Sequence, residues 1–100
     1  MGLNSKERAH LRGLANELPV IIQVGKGGIT DNLVTQIEEA LEARELIKIR
    51  LLQNVDGEPK ELAKTLANLT SAEVIQTIGN VVVLYRHSEG NPNKGGIADL

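Results

Sequence analysis

Val20-Ile21-Ile22-Gln23-Val24 runs straight into Gly25-Lys26-Gly27-Gly28, and Thr30 then opens a stretch with helical spacing. The first five residues are mostly apolar and β-branched, the composition of a buried strand. Residues 30–44 place Leu33, Val34, Ile37, Ala40 and Leu41 on one stripe and glutamates on the other side, with Thr30 as the N-cap. Residues 46–52 then alternate, with Ile47, Ile49 and Leu51 on one face and Lys48 and Arg50 on the other, which predicts a half-buried strand. Strand, helix and strand within about 30 residues make a βαβ unit. Its crossover is expected to be right-handed, with the two strands parallel. A chain that holds such a unit must build a sheet and cover it with helices.

The flanking segments supply the covering. Ser5 can cap a first helix, in which Leu11, Leu14, Ala15 and Leu18 follow at i, i+3, i+4 and i+7. Pro19 makes Leu18 its boundary, because the residue before proline is pushed out of helical geometry. Asn54 to Gly57 reads as a turn, and Pro59 suits the first position of a third helix with Leu62, Leu66 and Leu69 inward. Val74 to Ile78 and Val81 to His87 read as strands joined by the hairpin signal Gly79-Asn80. The predicted architecture is a compact single α/β domain of order α-β-α-β-α-β-β, with a mixed four-stranded sheet packed with helices. Residues 1–87 form this domain. Residues 88–100, rich in Gly, Asn and Pro, read as a poorly ordered C-terminal tail. With no Phe, no Trp and one Tyr among 100 residues, the core must be aliphatic, and Tyr85 reads as packing.

Absences narrow the chemistry. There is no cysteine, so disulfides, thiolate nucleophiles and Cys-based zinc sites are excluded. The first eight residues have no apolar stretch after their charges and do not read as a signal peptide. No apolar run approaches the ~20 residues that span a bilayer. A cytoplasmic protein without membrane contact is expected. His10 and His87 have neither HExxH spacing nor a nucleophile beside them, and Ser5 and Ser71 read as cap and turn residues. Neither an enzyme nor a metal or cofactor site is expected.

The glycine loop is the feature that carries chemistry. A helix start leaves about four backbone N–H groups without internal partners, and the aligned peptide dipoles put partial positive charge there. An anion such as phosphate accepts from those donors. Glycine reaches positive φ and lets a ligand come close, and Lys26 adds a cation at the tip. Three phosphate-loop readings compete. A Walker-type loop needs spacing that does not occur here, and a dinucleotide fingerprint would want glycine where Thr30 stands. A G-x-x-G loop of the kind that clamps RNA backbone fits spacing and context. A tight turn that needs glycine for geometry alone accounts for the same four residues.

Net charge is −2, mildly against a generic nucleic-acid binder, but the charge is unevenly spread. Lys6, Arg8, Arg12 and Lys26 outweigh Glu7 and Glu17 in the first 30 residues, whereas residues 31–45 carry Asp31, Glu38, Glu39, Glu42 and Glu45 against Arg44. The expected RNA-binding residues are Gly25, Lys26, Gly27, Gly28, Lys48, Arg50, Arg86, Arg8, Arg12 and Lys6. The alternative is a protein-interaction module that uses the acidic helix face.

Ser5-Lys6-Glu7-Arg8 with Leu11-Arg12-Gly13-Leu14-Ala15, then Pro19, then Val24-Gly25-Lys26-Gly27-Gly28-Ile29-Thr30, resemble the YhbY-type, or CRM-domain, RNA-binding family. Ala40-Leu41-Glu42-Ala43-Arg44-Glu45-Leu46-Ile47-Lys48 and Ile78-Gly79 followed by Leu84-Tyr85-Arg86 extend the resemblance over residues 3 to 87. It implies a domain similar to the C-terminal domain of translation initiation factor three. The implied role is binding ribosomal RNA, or a large-subunit precursor, during ribosome assembly, as a monomer when free. The family's glycine loop carries over onto Gly25 to Gly28, and its supporting basic residues onto Lys48, Arg50 and Arg86. Some relatives carry basic residues in the last hairpin and tail. Here Asn80 and, in the tail, Lys94 alone imply a weaker electrostatic footprint, and Arg44 stands where His is common.

Overall fold

A computed structural model describes residues 3–88. The chain forms α1 (Ser5–Ala15), β1 (Ile22–Val24), α2 (Asp31–Arg44), β2 (Leu46–Leu51), α3 (Pro59–Thr70), β3 (Glu73–Ile78) and β4 (Val81–Tyr85). This is the order read from the sequence. The four strands make one sheet in the order β1-β2-β4-β3, with β1 parallel to β2 and the other two pairs antiparallel.

Both faces of the sheet are covered, unequally. On one face Ile47, Ile49, Leu51, Val82 and Leu84 pack against Leu33, Ile37 and Leu41 of α2 and Ala63 and Leu66 of α3. Each large aliphatic buried there contributes about 1.5–3 kcal/mol. On the other face α1 lays Leu11 and Ala15 over Leu46, Ile75, Val83 and Tyr85. α1 spans only part of its face: the row of Gln23, Arg50, Val81 and Ile78 at the sheet's other end lies beyond it.

Several boundaries differ from the sequence reading, each for a local reason. The cap of α1 is Asn4, not Ser5: its side chain accepts from the Glu7 amide at 2.7 Å, and the Glu7 carboxylate accepts from the Asn4 amide at 3.0 Å. That reciprocal pair satisfies two helix-start donors at once, which Ser5 one residue later could not do with Glu7. α1 stops at Ala15, well before Pro19, and single turns from Leu14 and Ala15 to Glu17 and Leu18 follow it. In α3, Leu69 faces out at 50 % exposure, and the buried line is Ala63, Leu66, Ala67 and Thr70. Small alanines let the helix axis approach the sheet and roll the larger leucine outward. β3 carries a bulge between Val74 and Gln76, so Ile75 and Gln76 both serve the α1 side.

β4 ends at Tyr85 rather than His87: Arg86 still donates its amide in register to the Glu45 carbonyl at 2.9 Å, but the Glu45 amide is committed to the Leu41 carbonyl at the end of α2, so the reciprocal bond cannot form. Tyr85 is buried in the packing beneath α1, as expected. At the hairpin only Gly79 has positive φ, +56°, the pattern of a turn with glycine first. Of the expected tail, residues 89–100 lie outside the described residues. Ser88 is buried: its amide donates to Glu45 Oε2 at 2.8 Å and its hydroxyl to Glu42 Oε2 at 3.1 Å.

Candidate functional site

The glycine loop stands where β1 gives way to α2, beyond the carboxyl end of the strand. The Gly28 amide donates to the Gly25 carbonyl at 2.8 Å, closing a turn with Lys26 and Gly27 exposed at its tip. Gly28 then takes φ +67°, where a side chain would be strained, and swings the chain toward the helix. Thr30 caps α2: its Oγ1 accepts from the Leu33 amide at 3.1 Å and its carbonyl from the Val34 amide at 3.0 Å.

Those bonds commit the amides of Gly28, Leu33 and Val34. Among the described residues, the amides of Lys26, Gly27, Ile29, Thr30, Asp31 and Asn32 make no hydrogen bond within the protein. They gather at the positive end of the α2 dipole, where an anion is stabilised. An added Cβ would meet nothing within 4 Å at Gly28 and only Thr30 Cγ2, at 4.0 Å, at Gly27, so the outer side of the turn is open. The turn borders a shallow depression of ≈ 260 Å³ that Gln23, Thr30, Asn32 and Gln36 also line. Asp31 is the acidic residue in the first turn of α2; it is exposed and does not line the depression.

Two of the expected basic residues stand at this end of the molecule. Arg50 pairs in register with Gln23, two residues before Gly25, and projects from the face that α1 leaves open. Lys48 lies on the same face, one pleat further from the turn, and is half-buried. Among the described residues neither forms an ion pair.

The others are placed elsewhere. Arg86 follows β4 at the Leu46 end of β2, the end of the sheet away from the turn. Its guanidinium donates to the Thr70 carbonyl at 2.7 Å and pairs with Glu42 at 3.4 Å, tying the end of α3 to α2. Arg8 joins α1 to β3 through Glu73 at 3.2 Å and through the Val74 carbonyl. Arg12 and Lys6 are exposed on α1. The acidic side of α2, Glu38, Glu39 and Glu42, is exposed, with Glu42 engaged by Arg86 and Ser88.

Sequence reading passed over Gln23, Asn32 and Gln36, which line the depression beside the turn. The signals were present: Gln23 is the polar member of an apolar strand, and Asn32 and Gln36 stand four apart on one helix face. Among the described residues no cluster of three or more His, Asp or Glu could hold a metal ion, and no helix is long and apolar enough to cross a membrane.

Fold and turn together define a small α/β domain with a glycine loop of unpaired amides at one end of a mixed sheet. Residues 3–86 match the model of the CRS1/YhbY (CRM) domain. The chain is 47% identical over 89 residues to "Probable RNA-binding protein YqeI" of Bacillus subtilis, covering 89% of this chain and 93% of that one. It is 39% identical over 88 residues to an RNA-binding protein of Haemophilus influenzae, covering 87% and 88% of the two chains. The solution structure of SAV1595 from Staphylococcus aureus superimposes with a TM-score of 0.77 at 46% identity, over 92% of this chain and 96% of that one. The chain therefore belongs to the CRS1/YhbY (CRM) family of RNA-binding domains.

Proposed function

We propose that this domain binds ribosomal RNA, in a precursor of the large ribosomal subunit, in the cytoplasm, and that Gly25 to Gly28 form the contact centre. The observation that carries the proposal is the set of unpaired amides at the mouth of α2, beside the exposed Lys26. Phosphate oxygens accept from those amides, Lys26 adds charge at the tip, and Arg50 and Lys48 continue the positive track onto the open sheet face. Arg86 and Arg8, held by carbonyls and carboxylates of neighbouring elements, act through the fold rather than through RNA. With no aromatic platform at the site, backbone and shape outweigh stacking.

The test is to tag the protein, fractionate a lysate on a gradient and sequence the RNA cross-linked in each fraction. Co-migration with large-subunit precursors, cross-linked to ribosomal RNA and lost in Gly27→Asp, is the expected outcome. Migration as a free monomer without RNA would overturn the proposal.

A further inference from the structure

A second hollow opens on the sheet face that α1 leaves bare. It has a volume of ≈ 220 Å³ and lies between the C-terminal end of α1 and the β3–β4 hairpin. Its walls are of two kinds. Val81, Val83, Ala15 and Ile78 are apolar, and Ile78 is 60 % exposed, one of two large aliphatics so far out in water among the described residues. Asn16, Gln76 and Lys48 ring them with polar groups. Among the described residues none of these three side chains has a hydrogen-bond or ion-pair partner. The bulge at Ile75 produces the arrangement: Ile75 goes under α1, and Gln76 turns to the same face in the open part.

Two rows of the sheet relate the hollow to the strand that leads into the glycine turn. Gln23, Arg50, Val81 and Ile78 stand side by side across the four strands, and Lys48, Val83 and Gln76 form the adjacent row. At the spacing of neighbouring strands, the track from Gln23 to Ile78 is about 14 Å long. It carries one cation in each row, Arg50 and Lys48, and no acidic side chain stands in either row.

We infer that this hollow receives one unpaired nucleobase of an RNA strand whose phosphates lie on the Gly25–Gly28 turn. The inference rests on the RNA-binding reading above and deepens it. An apolar floor suits the face of a planar base. The two primary amides suit its edge, because each offers both a donor and an acceptor, as base edges do. A phosphate would use only the donors of those amides and would gain nothing from the apolar floor. Lys48, at the lip, reaches the phosphate or a base carbonyl. Base choice would thus come from amides and aliphatic contact, without the aromatic stacking that this chain cannot supply.

The experiment compares wild type with the Asn16→Ala/Gln76→Ala double variant on short single-stranded oligo(A), oligo(C) and oligo(U), by fluorescence anisotropy at several salt concentrations. The wild type is expected to rank the oligonucleotides. In the double variant the spread between tightest and weakest should shrink about tenfold, the size of one to two net hydrogen bonds, with the salt slope unchanged. Photo-cross-linking of the wild type with 4-thiouridine RNA, mapped by mass spectrometry, needs no variant to fold. Adducts are expected on Lys48, Gln76 or Ile78 as well as on the turn. Binding to ribosomal RNA with no ranking, a ranking that the double variant leaves intact, or adducts confined to the turn would each overturn the base site and leave the RNA reading standing. A wild-type chain that holds no RNA of any kind would overturn both.

Discussion

The amide of Gly28 donates to the carbonyl of Gly25 at 2.8 Å, and this one bond turns the chain so that the amides of Lys26 and Gly27 stay outward. The bond needs no side chain, but the φ of +67° at Gly28 needs glycine. Gly28→Ala is expected to cost about 1 kcal/mol, which lowers Tm by about 4–8 °C in a domain of this size. Gly27→Ala sets a Cβ in ordinary contact with Thr30 at 4.0 Å, outside the left-handed region, and should stay within about 0.5 kcal/mol of wild type. Thermal melts followed by circular dichroism separate the two. Equal losses would show that the turn does not depend on the conformation at Gly28.

Lys26 is exposed at the tip of that turn, so its removal should leave the fold alone and change the electrostatics of binding. Lys26→Ala is expected to weaken every RNA by a similar factor. It should also flatten the log–log salt slope by about 0.7, the loss of one phosphate contact on a single strand. Titrations at four or five salt concentrations measure both. An unchanged slope would remove Lys26 from the interface.

The order of elements, the parallel β1–β2 pair and the Thr30 cap were legible because each rests on local chemistry: period-2 and period-3.6 patterning, a proline, a capping hydroxyl. The same holds for the open turn, since glycine and a helix start specify it without help from the rest of the chain. What was not legible depends on packing between distant segments. Leu69 fits the helical stripe of α3 as well as Leu66 does, and only the close approach of Ala63 and Ala67 to the sheet decides which leucine is exposed. Arg86 and Arg8 read as surface cations like Arg50. Their partners, Thr70 and Glu42 in one case and Glu73 and Val74 in the other, lie 16 to 66 residues away. The bulge at Ile75 leaves no mark in the apolar pattern, so the placement of half-buried Gln76 beside Lys48 emerged only in three dimensions.

Arg86 offers the contrast to Lys26. Its half-buried guanidinium caps the last carbonyl of α3 at 2.7 Å, a charge-assisted bond whose removal costs about 1.5–3 kcal/mol. Arg86→Ala should therefore lower the urea midpoint clearly, while the folded fraction binds RNA with wild-type affinity and salt slope. Arg86→Lys should recover part of the stability at most, because a single ammonium cannot span the Thr70 carbonyl and Glu42 as the fork does. Lost affinity without lost stability would place Arg86 at the interface instead.

Glu45 separates a side-chain role from a backbone one at a single position. Its side chain is fully buried; Oε2 accepts the Ser88 amide at 2.8 Å and lies 3.3 Å from His87 Nδ1, and Oε1 has no hydrogen-bond partner. Its backbone takes φ +67°, which links α2 to β2 and favours glycine. Glu45→Ala keeps the strained backbone and leaves the Ser88 amide without its acceptor, at a cost of about 1–3 kcal/mol. Glu45→Gly loses the same acceptor but relieves the backbone, so it should be more stable than the alanine variant by about 1 kcal/mol. In both variants the Ser88 amide should exchange with solvent faster than in wild type, because the segment after β4 has lost its tether. A glycine variant less stable than alanine would mean that the conformation at Glu45 carries no strain. Unchanged exchange at Ser88 would mean that the carboxylate does not hold the segment.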